Sequence, residues 1–208
     1  MKFVMMVEGY TEQKAVPAFL KRWLDPRLSQ RVGIQIVRFE GWPQLVDDMQ
    51  NRALAYLNSP QSTEIIAVIA LLDLYGPTCY PAHLDSVEQR LAWATNTLES
   101  RVCSERFRVF FAVHEVEAWL LSDPGLFPAP IRKALPVKAQ QPETVNFDEP
   151  PARLLERLYR ERSGRTYKKL TDGTGLFEKL DPQAVYDRCP HFKQMIEDML
   201  QLARRAGL

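Results

Sequence analysis

Three apolar runs of the chain end in acidic residues. KFVMMV is followed by Glu8, EIIAVIALL ends at Asp73, and RFRVFFAV is followed by His114, Glu115 and Glu117. An ionised carboxylate in a poorly solvated place is costly unless a cation or a proton pairs with it. If the runs are neighbouring strands, a hard divalent cation such as Mg²⁺ or Mn²⁺ would favour bringing their acids together. We therefore predict metal ligands at Glu8, Asp73, Glu115 and Glu117, and catalytic roles for Glu8, Asp73 and His114.

Each of these residues also has a simpler interpretation. An acid after a strand is often a solvated loop residue, and Glu40 is interpreted in that way. Glu115 and Glu117 share one face if the strand continues, but they diverge if a helix has begun, and then only one can be a ligand. His114 is either a ligand or general base, or a hydrogen-bonded structural residue. The sequence HEVEA lacks the second histidine of HExxH, which excludes a zinc protease of that type.

The elements that must position these acids follow from periodicity. Apolar runs alternate with segments of helical spacing, which predicts a parallel sheet with right-handed crossovers. Pro17 is expected to shorten or bend the first helix. The predicted strands are KFVMMV, VGIQIVRF, EIIAVIALLD and RFRVFFAV. The predicted helices lie in TEQKAVPAFLKRWL, WPQLVDDMQNRALAYL and SVEQRLAWATNTLESRV.

The character of the sequence changes after residue 118. Prolines become frequent, and two further helices are predicted in PARLLERLYRER and HFKQMIEDMLQLARR. We predict an α/β domain over residues 1–122, with an irregular, proline-rich and helical extension over residues 123–208 packed on it.

Composition limits the class of protein. The 208 residues are 46% hydrophobic and 25% charged, which is typical of a globular protein. A net charge of +1 means that any nucleic-acid surface must be local. The three cysteines are scattered and form no CxxC pair, which predicts a cytoplasmic location. The sequence shows no signal peptide and no membrane-spanning run, so we predict that the protein does not enter membranes. Phosphate-loop, dinucleotide and nucleophile-elbow motifs are absent from the sequence.

Several short motifs occur together in a recognisable order. VEGYTE, LLDLYG, HEVEAWLLSDP, QPETVN, PPARL, the Tyr167-Lys168 pair and RCPHF resemble the Toprim-like proteins grouped as domain of unknown function 4276. The resemblance implies a Toprim-like (Rossmann-like), four-stranded, mainly parallel sheet flanked by helices. It also implies that Glu8 is the acid–base glutamate and Asp73 the first aspartate of a magnesium-binding Asp-x-Asp. Tyr75 stands where the second aspartate is expected, so Glu115 or Glu117 would have to replace it.

Basic residues supply candidates for substrate binding. The segment RLYRERSGRTYKK contains Tyr159 and Tyr167, which could stack on bases, although a solvated helix face has the same pattern. The resemblance favours a structural or substrate-contacting role around RCPHF. The predicted substrate-binding residues are Lys14, Arg165, Lys168, Lys169, Arg188 and His191.

Three functional hypotheses remain open. The first is a Mg²⁺- or Mn²⁺-dependent nuclease that, by the resemblance, is the effector of a bacterial anti-phage defence system with an ABC-type ATPase partner. The second is a non-catalytic subunit that keeps the fold and binds a partner or a nucleotide. The third is a small-molecule phosphatase or phosphotransferase. Nucleic acid is the expected partner of the first, and a homo-oligomer is compatible with all three.

Overall fold

A four-stranded parallel sheet forms the centre of the molecule. The computed structural model describes residues 1–143 and 149–208. The strands are β1 (Lys2–Val7), β2 (Gly33–Arg38), β3 (Ile65–Asp73) and β4 (Phe107–Ala112). Their order is β2-β1-β3-β4, and every pair is parallel. The predicted fold class, an α/β sheet flanked by helices with a helical C-terminal part, is confirmed.

Helices connect the strands and build the C-terminal part. The crossover helices are α1 (Tyr10–Leu24), α2 (Trp42–Leu57) and α3 (Val87–Val102). The later helices are α4 (Glu117–Leu120), α5 (Ala129–Arg132), α6 (Pro151–Ser163), α7 (Thr174–Lys179), α8 (Pro182–Arg188) and α9 (Pro190–Arg205). A π-helix, Lys169–Gly173, leads directly into α7. Within the described ranges, no helix has the length and apolar character needed to cross a bilayer.

The sheet is buried on both faces. Along β1, Phe3, Met5 and Val7 pack in the cluster that contains α1 and the C-terminal helices. Val4 and Met6 point to the other face, into the cluster formed with α2 and α3. This alternation is the two-residue period of a strand, and burial on both faces explains why the central strands are continuously apolar.

The C-terminal part shares its core with the sheet. The ring of Phe19 in α1 lies 5.6 Å from that of Phe177 and 5.5 Å from that of Phe192. The boundary between residues 122 and 123 stays a prediction. Three residues of the QPETVN motif, at positions 144–146, lie outside the described residues.

Pro17 does not shorten the first helix. The helix α1 runs unbroken from Tyr10 to Leu24, so the expected shortening is wrong. Pro17 removes the amide that would bond to the carbonyl of Gln13, and Gln13 is exposed. The opposite face carries Phe19 and Trp23, whose burial holds the helix in place.

Candidate active site

Glu8 and Asp73 meet where two neighbouring strands end. The register pairs Val7 of β1 with Leu71 of β3. Directly beyond it, the backbone N–H of Asp73 donates a hydrogen bond of 2.9 Å to Glu8 Oε1. The chain leaves β1 toward β2 and leaves β3 toward β4, so this edge is the topological switch point at which open α/β sheets bind ligands.

The end of β4 is tied to the same place. Asp73 Oδ1 accepts a hydrogen bond of 3.2 Å from the N–H of Val116. The N–H of Tyr75 donates to the carbonyl of His114 at 3.2 Å. His114 is buried and has a φ of 72°, a left-handed conformation that is unusual for a residue other than glycine. The backbone therefore turns sharply between β4 and α4.

This turn brings two acids onto one lysine. Lys169 Nζ lies 3.3 Å from Glu115 Oε2 and 3.0 Å from Glu117 Oε2. A helix does begin at Glu117, but the prediction that the two acids then diverge is wrong. The left-handed His114 redirects the chain before the helix starts, which the sequence pattern did not indicate.

Glu12 is a further acid that the sequence analysis missed. It is buried, and it lines the same cavity as Glu8. A Cβ atom at Gly9 would lie 2.8 Å from Glu12 Oε2, so the carboxylate folds back over the glycine. Glycine at position 9 thus allows Glu12 to lie against the strand end. The spacing Glu12, Val16, Phe19 and Trp23, all on the apolar face of α1, was a signal that could have identified it.

Three of these acids open into a cavity of about 380 Å³. Glu8, Glu12, Asp73 and Lys169 line it with their polar groups. The remaining lining residues are Gly9, Tyr10, Thr11, Gly41 and Leu170.

Crowding and burial shift the acids toward their protonated forms. Burial raises the pKa of Glu8 to about 7, although the hydrogen bond from the Asp73 N–H opposes the shift. Burial and the negative charges of Glu12 and Glu8 raise the pKa of Asp73 well above its ordinary value. Burial also raises the pKa of Glu117 to about 7, against the effect of Lys169. If all of these acids were ionised, the cluster would carry more negative charge than its surroundings compensate.

Lys169 is the cation that the structure places against these acids. Burial alone would lower the pKa of Lys169, but the charges of Glu117, Asp73 and Glu115 raise it above its ordinary value. The backbone of the preceding residue is held by Asp172, which accepts hydrogen bonds from the Lys168 N–H at 2.7 Å and from the Arg165 side chain at 2.8 Å.

The carboxylate oxygens at this site are suitable ligands for a hard cation. All five acids offer carboxylate oxygens, which Mg²⁺ and Mn²⁺ prefer. Glu117 Oε1 is buried and accepts no hydrogen bond. In the described part of the chain, however, no three or more Asp, Glu, His or Cys side chains are already grouped as ligands around one point. Two of the acids are turned toward Lys169, so a metal would have to share them with the lysine or displace it.

The predicted substrate-binding residues divide into two groups. Lys14 and Lys168 are exposed, on α1 and before the π-helix, and Arg165 holds Asp172. Lys169 is part of the acidic cluster itself. These four residues lie in the two segments, α1 and residues 165–169, that border the cavity.

Arg188 and His191 lie elsewhere. The backbone N–H of His191 donates to Glu143 Oε2 at 2.7 Å, and its ring lines a separate groove between α3, β4 and α9. Arg188 lines a third depression, with Tyr186. The lining described for either place contains none of the five acids.

Tyr159 and Tyr167 do not form a surface for stacking bases. Both are buried, and their rings pack on each other with centroids 5.3 Å apart. The prediction that they stack on bases is therefore wrong, because α6 turns its tyrosine into the core while its arginines face solvent.

Comparisons with known proteins give a family and similar structures. The model of the family described as domain of unknown function (DUF4276) matches residues 7–200. The C-terminal region of the Burkholderia pseudomallei OLD protein is 18% identical, with 98% of this chain and 97% of that chain covered and a TM-score of 0.49. The C-terminal region of the Xanthomonas campestris pv. campestris OLD protein is 17% identical, with 98% and 94% covered and a TM-score of 0.43. No curated protein matches the chain significantly.

Proposed function

The chain belongs to the family described as domain of unknown function 4276, and from its acidic cavity we propose that it is a divalent-metal-dependent nuclease. The observation that carries the proposal is a group of five carboxylates around Lys169: three line one cavity with it, and the other two form ion pairs with its ammonium group. They come from the ends of β1, β3 and β4 and from the first turn of α1. Such an excess of buried negative charge is unfavourable for a purely structural site, and a bound cation would relieve it.

The proposed metal ligands are Glu8, Glu12 and Asp73, with Glu115 and Glu117 shared with Lys169. A bound Mg²⁺ or Mn²⁺ would supply positive charge to a phosphate and lower the pKa of a water molecule. Tyr75, where an Asp-x-Asp would have its second acid, offers no carboxylate. The acids after β4 would take that place.

Two side chains have their own parts in the proposed reaction. Burial raises the pKa of Glu8 to about 7 in the metal-free protein, and as the acid–base residue Glu8 would accept and return a proton. Lys169 places a fixed positive charge beside the cavity, where it would stabilise negative charge on a phosphate in the transition state.

The test is cleavage of single-stranded and double-stranded DNA and RNA with Mg²⁺ or Mn²⁺. We expect Glu8→Gln and Asp73→Asn each to lower the rate at least about 100-fold. The matched control is Glu40→Gln, because Glu40 also follows a strand but is exposed and outside the cavity. Full activity in Asp73→Asn, or no cleavage by the wild type under any of these conditions, would overturn the proposal.

A non-catalytic subunit is the second candidate. It is favoured by Tyr75 in the position of a metal-binding acid and by Lys169, which already neutralises part of the cluster. Calorimetric titration separates the two candidates. Micromolar Mn²⁺ binding that disappears in Asp73→Asn supports an active site, and the absence of binding supports the subunit.

Partners and location belong to the proposal as well. By the family resemblance, we propose an ABC-type ATPase partner in anti-phage defence, which co-purification with that ATPase would test. A cytoplasmic location, self-association and independent folding of residues 1–122 stay predictions. Fractionation, light scattering and expression of that segment would test them.

A further inference from the structure

Exposed apolar side chains occur at the acidic cavity. Five large hydrophobic residues are exposed in the described part of the chain, and three of them, Met1, Tyr75 and Val137, lie outside the cavity lining. Tyr10 is 56% exposed, Tyr75 is 42% exposed and Leu170 is 43% exposed. Tyr10 and Leu170 line the cavity, and Tyr75 follows Asp73 by two residues. Single exposed hydrophobic residues need no explanation, but two that line one charged cavity do.

Tyr10 presents its ring on the β2 side of the acids. It is the first residue of α1 and follows Gly9. The guanidinium of Arg38, at the end of β2, lies 4.0 Å from the centroid of the ring. The guanidinium therefore places a positive charge beside the flat ring of an exposed tyrosine. A nucleotide offers the complementary pair, a flat base and a phosphate.

Tyr75 presents its ring near the end of β3, two residues after Asp73. Its centroid lies 5.2 Å from that of His114, which is buried beneath it after β4. The hydrogen bond from its N–H to the carbonyl of His114 fixes the backbone at this point. Tyr75 is therefore a supported ring rather than a mobile one. Along the sheet edge, Arg38 ends β2, Glu8 and Tyr10 follow β1, Asp73 and Tyr75 lie at the end of β3, and Glu115 and Glu117 follow β4.

From this arrangement we infer that the site binds unpaired nucleotides, whose bases stack on Tyr10 and Tyr75 while the intervening phosphate faces the acids and Lys169. The inference rests on the proposed nuclease function and adds the form of the substrate. In a duplex, each base is covered by its neighbours, so a protein ring can stack only on bases that are unpaired or turned out of the helix. DNA and RNA strands share this chemistry.

The experiment measures binding of short oligonucleotides by the full chain, with Ca²⁺ and separately with EDTA. Each oligonucleotide carries one fluorescent 2-aminopurine, whose emission is quenched by stacking. Single-stranded DNA, single-stranded RNA and the duplex of the same sequence form three arms. The variants are Tyr10→Ala, Tyr75→Ala, the matched Tyr10→Phe and Tyr75→Phe, and Val137→Ala as an exposed apolar residue outside the cavity.

We expect each alanine variant to weaken single-strand binding about 5- to 100-fold, because stacking contributes that much per base. The phenylalanine variants and Val137→Ala should bind like the wild type, and the duplex should bind more weakly than the strands. The stronger of the two single strands identifies the sugar. Circular dichroism of the variants shows that they are folded.

Two results of the binding experiment would overturn the inference. One is unchanged single-strand binding in both alanine variants, and the other is a duplex that binds more tightly than either strand. Cleavage that is lost in Asp73→Asn but unchanged in the tyrosine variants would leave the nuclease proposal in place and remove this one. Binding that depends on the two tyrosine rings, without any cleavage, would support this inference and remove the nuclease proposal.

Discussion

The N–H of Asp73 donates a hydrogen bond to Glu8 Oε1, and this contact joins the ends of the first and third strands. It brings the Glu8 carboxylate to the end of β3, where Glu8 and Asp73 line the same cavity. Asp73 in turn accepts from the Val116 N–H, so the same carboxylate also fixes the segment after β4. Three strand ends are thus linked through one aspartate.

The position of Lys169 determines whether a metal ion could bind at this linked site. A basic side chain that filled the space between Glu8 and Asp73 would argue against a metal there. Lys169 instead makes its ion pairs with Glu115 and Glu117, while it also lines the cavity beside Glu8. The lysine therefore competes with a metal for two acids and leaves the Glu8–Asp73 side of the cluster without an ion pair to it.

Replacing Lys169 by methionine tests this competition. We expect Lys169→Met to bind Mn²⁺ about tenfold more tightly than the wild type, because two carboxylates lose their competing ammonium. Cleavage should fall at the same time, since the charge beside the phosphate is lost. Titration calorimetry and cleavage assays measure the two effects.

The matched control is Lys168→Met, because Lys168 precedes Lys169 and is exposed. Its affinity for Mn²⁺ should equal that of the wild type. Weaker Mn²⁺ binding in Lys169→Met would mean that the lysine holds the acids in place and does not compete with the metal.

Gly9→Ala should displace Glu12 without straining the backbone. The φ of Gly9 is −142°, an extended value that alanine adopts freely. The new Cβ would lie 2.8 Å from Glu12 Oε2, so the carboxylate must move. If Glu12 is a metal ligand, Mn²⁺ affinity should fall about tenfold in Gly9→Ala and in Glu12→Gln, and the double variant should be no worse than Glu12→Gln.

Gly175→Ala is the control for this pair. No atom lies within 4 Å of a Cβ at Gly175, and the residue is in α7. Alanine there should raise the free energy of unfolding by about 0.5–1 kcal/mol and leave Mn²⁺ binding unchanged. Equal Mn²⁺ affinities in Gly9→Ala and the wild type would show that Glu12 is not a ligand.

His114 can be tested for a conformational role against a chemical one. Its φ of 72° suits glycine, so His114→Gly should preserve the turn that directs Glu115 and Glu117 toward Lys169. His114→Ala keeps the Cβ that the wild type already has at this φ, so it should direct the two acids as the wild type does and bind Mn²⁺ like His114→Gly. If the imidazole itself takes part in the reaction, cleavage should be lost in both variants while Mn²⁺ binding survives in His114→Gly.

Local patterns explain why the sheet could be predicted from the sequence. The run of β3 is apolar throughout and ends at Asp73, and Ser86 begins α3 with a capping box that the sequence shows. Because parallel strands end at the same edge of a sheet, the acids that follow these strands lie at that edge. For this reason, Glu8 and Asp73 could be placed together before any coordinates existed.

Contacts between distant segments explain what the sequence analysis missed. The position of Lys169 depends on a π-helix whose Gly173 packs against Tyr167 and Thr11, since a Cβ there would lie 2.9 Å from the Tyr167 hydroxyl. Helical periodicity does not predict a π-helix, and tertiary packing decides it. The burial of Tyr159 likewise depends on which face of α6 meets the core, and Leu154, Leu155 and Leu158 mark that face.

Glu143 should make the stability of the protein depend on pH independently of the acidic cluster. It is buried and accepts hydrogen bonds from the Trp119 indole N–H at 3.3 Å and from the N–H groups of His191 at 2.7 Å and Phe192 at 3.3 Å. Burial raises the pKa of Glu143 to about 7, whereas in the unfolded chain the group titrates near 4.5. Between these values the folded state binds the extra proton, so the free energy of unfolding falls as the pH rises.

Glu143→Gln removes this titration. Across pH 5 to 8, the wild type should lose up to about 3 kcal/mol more stability than Glu143→Gln, measured by urea unfolding in EDTA. The acids at the cavity titrate in both proteins, so only the difference between the two curves reports on Glu143. Parallel curves would mean that Glu143 is already ionised in the folded protein at pH 5, with its three N–H donors outweighing the effect of burial.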